Sequence, residues 1–406
     1  MMHLKKYFTL SRNVLVLGWT SLLNDIASEM IYPLLPVFLT SVIGVGTAFI
    51  GAIEGIAEST ASLLKVFSGW LSDRLKRRKS LTVAGYTLSV LARPFIALAT
   101  AGWHVLVLRF LDRIGKGVRT SPRDALIAES ASPDELGKAY GFHRSMDHVG
   151  AVVGPLLASL ILAVLTDSYR TLFWLASIPG FIAAWLVALF VKEQRLAIHP
   201  QHVENASRAS QPLRLSIKSY DRSFKLFLVS VVLFALGNSS DAFLLLRAKS
   251  SGVQDALLPI LWVVLHIVKV LSSMPGGILS DKIGRKPTII AGWIVYGLIY
   301  LGFGFASSQT HIWILFALYG IYFGLTEGVE KALVAGLVTP ERRGTAFGVY
   351  HFAIGVSALP ASLIFGFVWE QFGMLSAFVM GACLAIGAGL LLIVSVKETR
   401  FNQRGR

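Results

Sequence analysis

The chain has 406 residues, 54% of them hydrophobic and 15% charged, and its mean hydropathy is +0.64. One core of a water-soluble domain cannot hide that much apolar surface, so the chain is expected to live in lipid. Its formal net charge of +15 has no hydrophilic domain to sit on, which excludes a nucleic-acid binder of the usual kind and assigns the excess Lys and Arg to loops on the inner side of a membrane.

Taken from the N-terminus, Lys5, Lys6 and Arg12 precede an apolar stretch too long for a signal-peptide core, which reads as a retained first span. Apolar stretches run at about 14–40, 46–71, 80–100, 103–130, 138–165 and 170–191, then at 224–247, 254–280, 288–307, 311–336, 344–370 and 373–396. This pattern predicts an all-α polytopic membrane protein with twelve transmembrane helices. The expected division is an N-terminal bundle at 1–191, a cytoplasmic linker at 192–223 holding Arg195, Arg208, Arg214, Lys218 and Arg222, and a C-terminal bundle at 224–406. Arg74, Lys76, Arg77, Arg78 and Lys79 fill one loop, Lys282, Arg285 and Lys286 another, and Arg342 and Arg343 a third. Those loops, and with them both termini, are expected on the cytoplasmic side.

A charge at the centre of a membrane helix costs about 2.5–3.5 kcal/mol on insertion scales, so each intramembrane charge needs a partner, a wet cavity or a function. In the first span Asp25 and Glu29 share a face, with Asp25 about 17 Å deep. Either carboxyl can carry a proton or sit in a permanent pair with Arg109, Arg113 or Arg144. Glu54 and Glu58 repeat the spacing in the second span as further carriers. The fourth span holds Arg109, Asp112, Arg113, Lys116, Arg119 and Arg123 at helical spacing, a stripe that lipid cannot solvate and that suits an anionic or zwitterionic solute. Arg119 and Arg123 are assigned to the cytoplasmic mouth, where they would only fix topology. In the fifth span the spacing sets His143 beside Asp147 and Arg144 beside His148, a proton path or gate. Two histidines without a compact acid and thiol set do not predict a metal. In the second half the intramembrane polar residues are Asp241, His266, Lys269 and Glu327, with Lys269 able to bind an anion or pair with Glu327. Tyr32, Trp262, Tyr319 and Tyr322 are solute contacts or packing residues. The single cysteine, Cys383, permits no intramolecular disulfide.

Pro133, Gly137, Ala139 and Gly141 reappear 207 positions later as Pro340, Gly344, Ala346 and Gly348, and Ser72-Asp73 reappears as Ser280-Asp281. A duplicated six-helix unit of even count enters twice from the same side and gives parallel halves able to rock about a shared centre. Within the repeat, Gly69-Trp70-Leu71-Ser72-Asp73-Arg74-Leu75-Lys76-Arg77-Arg78 and Gly277-Ile278-Leu279-Ser280-Asp281-Lys282-Ile283-Gly284-Arg285-Lys286 occupy corresponding loops. They resemble the loop signature of the major facilitator superfamily, with Lys76 in place of the usual second glycine. Gly141, Gly150, Gly154-Pro155 and Ala158-Ser159 resemble the family's antiporter motif, although Ala158-Ser159 replaces the usual glycine pair. Arg109 with Gly115 and Gly117 partly resembles a third motif, with Arg113 where glycine is expected.

This resemblance, which covers nearly the whole chain, implies a fold of two parallel six-helix bundles and a likeness to proton-coupled drug and metabolite antiporters. It implies a latch that holds one access state, with Gly69, Asp73, Arg74, Asp281, Lys282 and Arg285 as gating residues, Asp73 near the start of the eleventh span and Asp281 near that of the fifth. Gly150, Gly154 and Pro155 would belong to the same gating set. Asp25, Glu29, Glu54, Glu58 and Asp147 are the expected proton-coupling residues, and Arg109, Asp112, Arg113, Lys116, Asp241, Lys269 and Glu327 the expected solute-binding ones. No phosphate-binding Gly loop, His-Glu-x-x-His or Gly-x-Ser-x-Gly is present, so no enzyme activity and no cofactor are expected. Expected partners are a small-molecule solute, protons and lipid, and the chain is expected to act as a monomer in a bacterial inner membrane. Export by proton antiport is the leading expectation. Proton-linked import of organic anions uses the same architecture, and a sensor or scaffold would not need so many buried charges.

Overall fold

The computed structural model describes residues 10–45, 47–166, 168–193, 220–239, 241–254 and 257–395, and these are helical apart from short turns. Arg195, Arg208, Arg214 and Lys218 of the expected linker lie outside the described residues. The first half comprises α1 (Arg12–Glu29), α2 (Leu35–Ser41), α3 (Thr47–Leu75), α4 (Arg78–Ile96), α5 (Gly102–Ser130), α6 (Leu136–Val164) and α7 (Tyr169–Phe190). The second comprises α8 (Arg222–Gly237), α9 (Ala242–Ser250), α10 (Leu258–Ile283), α11 (Arg285–Phe305), α12 (Gln309–Leu337), α13 (Arg343–Phe372) and α14 (Met374–Ser395).

Each half makes six crossings, because its first crossing is split between two helices. Pro33 has no N–H to bond the Glu29 carbonyl, and α1 stops at that glutamate. In the second half α8 ends at Gly237, where a run of Gly, Asn and Ser disfavours helix continuation. The apolar stretches 14–40 and 224–247 gave no sign of these breaks, since hydropathy does not record backbone geometry. Among the described residues seven helices, α6, α7 and α10 to α14, are long and apolar enough to cross a bilayer on length and composition alone. Charged α5 is instead enclosed by protein, with Arg109, Asp112, Arg113, Arg119 and Arg123 all buried.

Inside the first half α4 packs on α5 and α7, and α1 on α6 and α7; inside the second, α11 packs on α12 and α14, and α8 on α13 and α14. The halves meet where α6 lies along α10 and α3 along α13. Glycines allow this approach: a Cβ on Gly141 would run into the Ser273 carbonyl, and one on Gly348 into the Lys65 carbonyl. Leu63, Trp185, Leu271, Leu359 and Val394 are each more than half exposed, as a lipid-facing belt requires.

Candidate functional site

The basic loops lead into two junctions of one design. Asp73, near the end of α3, accepts hydrogen bonds from the Gly344 N–H (3.0 Å), the Thr345 N–H (2.7 Å) and the Thr345 hydroxyl (2.7 Å) at the first turn of α13. Asp281, near the end of α10, accepts from the N–H groups of Gly137 (2.9 Å) and Lys138 (2.8 Å) at the first turn of α6. Each carboxylate thus meets the positive end of a helix in the other half, where N–H groups have no intrahelical partner. Gly69 and Gly277 bring the backbones together, since a Cβ on either would collide with the carbonyl of Gly344 or Gly137. Arg78 bonds Asp73 (2.9 Å) and the Pro340 carbonyl (2.6 Å), and Arg285 donates to the Pro133 carbonyl. Beside the first junction, burial and then the Asp73 carboxylate push the Tyr220 phenol above its ordinary range. Arg74 stands apart at the exposed end of α3, its guanidinium 5.3 Å from the Trp70 ring, and Lys282 is also exposed.

Farther from the loops, α1, α3, α4, α5 and α6, with His351 of α13, enclose a polar cavity of about 320 Å³. Among the described residues four acids line it, Asp25, Glu29, Asp112 and Asp147, against seven bases, Lys65, Arg93, Arg113, Lys116, Arg119, Arg123 and Arg144. The cavity is therefore cationic whichever of Asp25 and Glu29 holds a proton. Asp112 anchors the arginines, with Arg93 at 3.2 Å, Arg109 at 3.6 Å and Arg113 at 3.7 Å. The face of Tyr32 completes the cluster, 3.6 Å from the Arg109 guanidinium and 5.3 Å from that of Arg113. One carboxylate among three guanidiniums leaves a net positive charge that an incoming anion can neutralise.

Two glycines of the antiporter-like segment place the acids. A Cβ on Gly150 would meet the Leu22 carbonyl and the Asp25 Cβ, and one on Gly154 the Glu29 Cβ and the Ile26 carbonyl. Both therefore set how closely α6 approaches the face of α1 that carries Asp25 and Glu29; Pro155 follows directly in α6. Asp25 accepts from the Asn24 amide at 2.9 Å, and Glu29 has Lys116, Arg113, Arg109 and Arg93 within electrostatic reach. Asp147 accepts from the Ser21 hydroxyl and from Arg144 (3.0 Å), with His143 Nδ1 at 3.5 Å.

Arg119 and Arg123 correct the sequence expectation. They are buried cavity residues, not loop charges at a mouth: Arg119 donates to the Ser89 hydroxyl at 2.7 Å with its guanidinium 4.4 Å from the Tyr86 ring, and Arg123 pairs with Asp124 at 2.9 Å. α5 continues to Ser130, so both positions lie inside a buried helix. The partner of His148 also differs from expectation, because Glu327 of α12 lies 3.0 Å from His148 and 3.9 Å from Arg144. Glu327 thus bridges to the first half, while Asp241 accepts from Tyr319 at 3.0 Å and Lys269 lies over the Phe323 ring at 3.4 Å. Those three solute-binding candidates do not line the polar cavity; Asp112, Arg113 and Lys116 do, with Arg109 behind them. Among the aromatic candidates Tyr32 lines the cavity, Tyr319 and Tyr322 are buried among other rings, and Trp262 sits 5.3 Å from His266. Glu54 and Glu58 fall within α3, and their side chains lie outside the described residues. Sequence reasoning missed Lys65 and Arg93, although a charge inside an apolar span is itself the signal that finds them.

The Major Facilitator Superfamily model matches residues 17–268 and 226–405. A relative described as an uncharacterized MFS-type transporter, from Methanocaldococcus jannaschii, is 39% identical over 391 residues, 95% of each chain. This chain belongs to the Major Facilitator Superfamily. It is also similar to the cis,cis-muconate transport protein of Acinetobacter baylyi, 25% identical over 83% of this chain and 82% of that one. Its fold matches the proton:xylose symporter XylE with a TM-score of 0.76 over 96% of each chain at 17% identity. The protein is accordingly a multi-pass membrane transporter of the superfamily.

Proposed function

We propose that the protein is a proton-coupled secondary transporter of a small polar organic solute bearing an anionic group, working by alternating access of bundles at about 1–191 and 224–406. The observation that carries this reading is the cavity, with seven Lys and Arg against four acids, inside a membrane protein. Arg113, Lys116 and Asp112 would hold the solute, with Arg109 supporting them and Asp241, Lys269 and Glu327 contributing from the second half in another access state. Asp25 or Glu29 would carry the proton, with Asp147 in the same chain of acids and Glu54 and Glu58 as further carriers. Gly69, Asp73, Asp281 and Arg285 would form the latch, with Arg74 and Lys282 on its rim and Gly150, Gly154 and Pro155 in the segment of α6 that packs on α1. The basic face would be cytoplasmic.

Electrostatics links direction to solute charge. Protonating Asp25 or Glu29 removes a negative charge beside the arginines, so a proton and a purely anionic solute favour each other's binding. Exchange requires competition instead, which a zwitterion supplies if its ammonium displaces the proton. The antiporter-like glycines of α6 favour exchange, and hence export of a zwitterion; the shared lining favours co-transport, and hence import of an anion such as a dicarboxylate. Proteoliposomes carrying the protein, an imposed pH gradient and a mixture of labelled organic acids and amino acids decide between them. Zwitterion efflux driven by inward proton flow supports export, anion uptake accompanied by protons supports import, and gradient-driven transport that persists in both Asp25→Asn and Glu29→Gln removes those acids as carriers.

A further inference from the structure

Behind the cavity residues Arg123 and His351 lies a buried ion pair between the halves. Asp124 of α5 accepts from Arg123, its neighbour, at 2.9 Å and lies 2.8 Å from Lys331 Nζ of α12 and 2.8 Å from His351 Nε2 of α13. Asp124 and Lys331 are 207 positions apart, the register that relates Gly137 to Gly344. They are thus the same position in the two repeats, grown to opposite charge and paired with each other across the pseudo-two-fold axis. Both side chains are almost wholly buried, Lys331 at 1% and Asp124 at 0% exposure. Arg123 and His351, which line the cavity, both contact Asp124, so the pair joins the two halves at the cavity's edge.

Separating a buried pair ordinarily strands two charges. Here two charges of the inter-half network already hold a second partner in their own half, and a third has an acid one helical turn away. Asp124 already holds Arg123, and Arg144, which reaches Glu327 across the junction, already holds Asp147 at 3.0 Å. Lys331 follows Glu327 by four residues on α12, with the acid N-terminal, the favourable orientation for an intrahelical pair. Nearby Glu330 is occupied by the Trp293 indole and the Tyr350 hydroxyl, so it is not the substitute.

We propose that Asp124 and Lys331 form the inner gate of the transporter and that it opens by partner exchange. Lys331 leaves Asp124 for Glu327 as Glu327 leaves Arg144 and His148, so that neither half carries an uncompensated buried charge while the gate is open. The inference rests on the alternating-access reading but not on the solute or the coupling ion.

The test is a spin–spin distance measurement between labels at Arg77→Cys and Glu341→Cys, one exposed site in each half, in a Cys383→Ser background, in proteoliposomes without solute. Asp124→Asn removes the Arg123 pair in both states but the contacts across the halves, with Lys331 and His351, in the closed state alone, and should raise the open-to-closed ratio on the order of tenfold. The charge swap Asp124→Lys with Lys331→Asp tests complementarity but disturbs Arg123, so the decisive comparison is a cycle. Lys331→Gln alone loses a partner in both states and should move the ratio by no more than about threefold, whereas Lys331→Gln added to Glu327→Gln loses only the closed-state pair and should open the gate on the order of tenfold. Equal effects of Lys331→Gln in the two backgrounds would overturn the exchange. A closed gate in Asp124→Asn would overturn the lock itself. Because no solute is present, either failure is separate from failure of the transport reading, which the proteoliposome flux reports.

Discussion

Helices α5 and α12 occupy the same place in the two repeats and have taken opposite chemistry. Where α5 carries Arg109, Asp112 and Lys116, α12 carries, 207 positions on, Phe316, Tyr319 and Phe323. The first three belong to the charged cluster around the cavity, while Phe316 and Tyr319 are fully buried among other rings. The loop junctions, by contrast, have stayed alike: aspartate on helix N-terminus and glycine against glycine, twice. Under the proposed alternating access a latch is made and broken on both sides of the axis, which accounts for one geometry in both copies. A solute has its own polarity and needs only one charged wall.

The largest effect should come from breaking the charged wall. Arg113→Gln removes a charge-assisted contact of about 1.5–3 kcal/mol, so binding of the solute's anionic group should weaken by roughly 10- to 150-fold. Lys269→Gln, in the aromatic half, should change binding to the access state of this structure by less than about threefold, because Lys269 does not line the cavity and lies over Phe323. Titration calorimetry with whichever solute the flux assay identifies checks both, and equal losses would erase the distinction between the halves.

Next in size are the junctions. Asp73→Asn and Asp281→Asn should each cost the latched state about 1–3 kcal/mol, through weaker acceptance from helix N–H groups. Asp73→Asn should cost more, because it also weakens the Thr345 hydroxyl bond and takes from buried Arg78 a carboxylate partner, leaving Glu129 at 2.6 Å. Label distances across the basic face provide the readout, and a larger effect at Asp281 would contradict the ranking. Comparable in size, Gly150→Ala should displace α1 and cost about 1–3 kcal/mol of thermal stability in detergent, whereas Gly389→Ala, with open space at its Cβ, should be neutral within about 0.5 kcal/mol.

Much of this architecture is legible before any coordinates. Long apolar runs place the crossings because lipid tolerates no unpaired backbone, and the paired loop signatures place Asp73 and Asp281 because the repeat supplies two independent readings. Arg119 and Arg123 were misread because a positive charge near a helix end is explained equally well by topology. Only burial against Ser89, Tyr86 and Asp124 separates the two. Lys331 and His351 escaped for a different reason: their partner Asp124 is more than two hundred residues away, and local spacing does not encode a contact across the axis.

The smallest effect, at Lys76, sharpens the comparison most directly, because it sets the two loops against each other at one position. Lys76 takes φ 52°, and Gly284, its counterpart, takes φ 106°. A left-handed conformation costs a residue with a Cβ about 1–2 kcal/mol, and glycine in turn loses more entropy on folding. Lys76→Gly should therefore stabilise the protein by about 0.5 kcal/mol, whereas Gly284→Ala should destabilise it by about 1–3 kcal/mol, since φ 106° with ψ 149° suits glycine alone. Thermal unfolding in detergent measures both. Opposite signs would mean that the first loop bears a small strain to hold an extra cation at the basic face, and equal signs would mean that the two turns answer to different constraints.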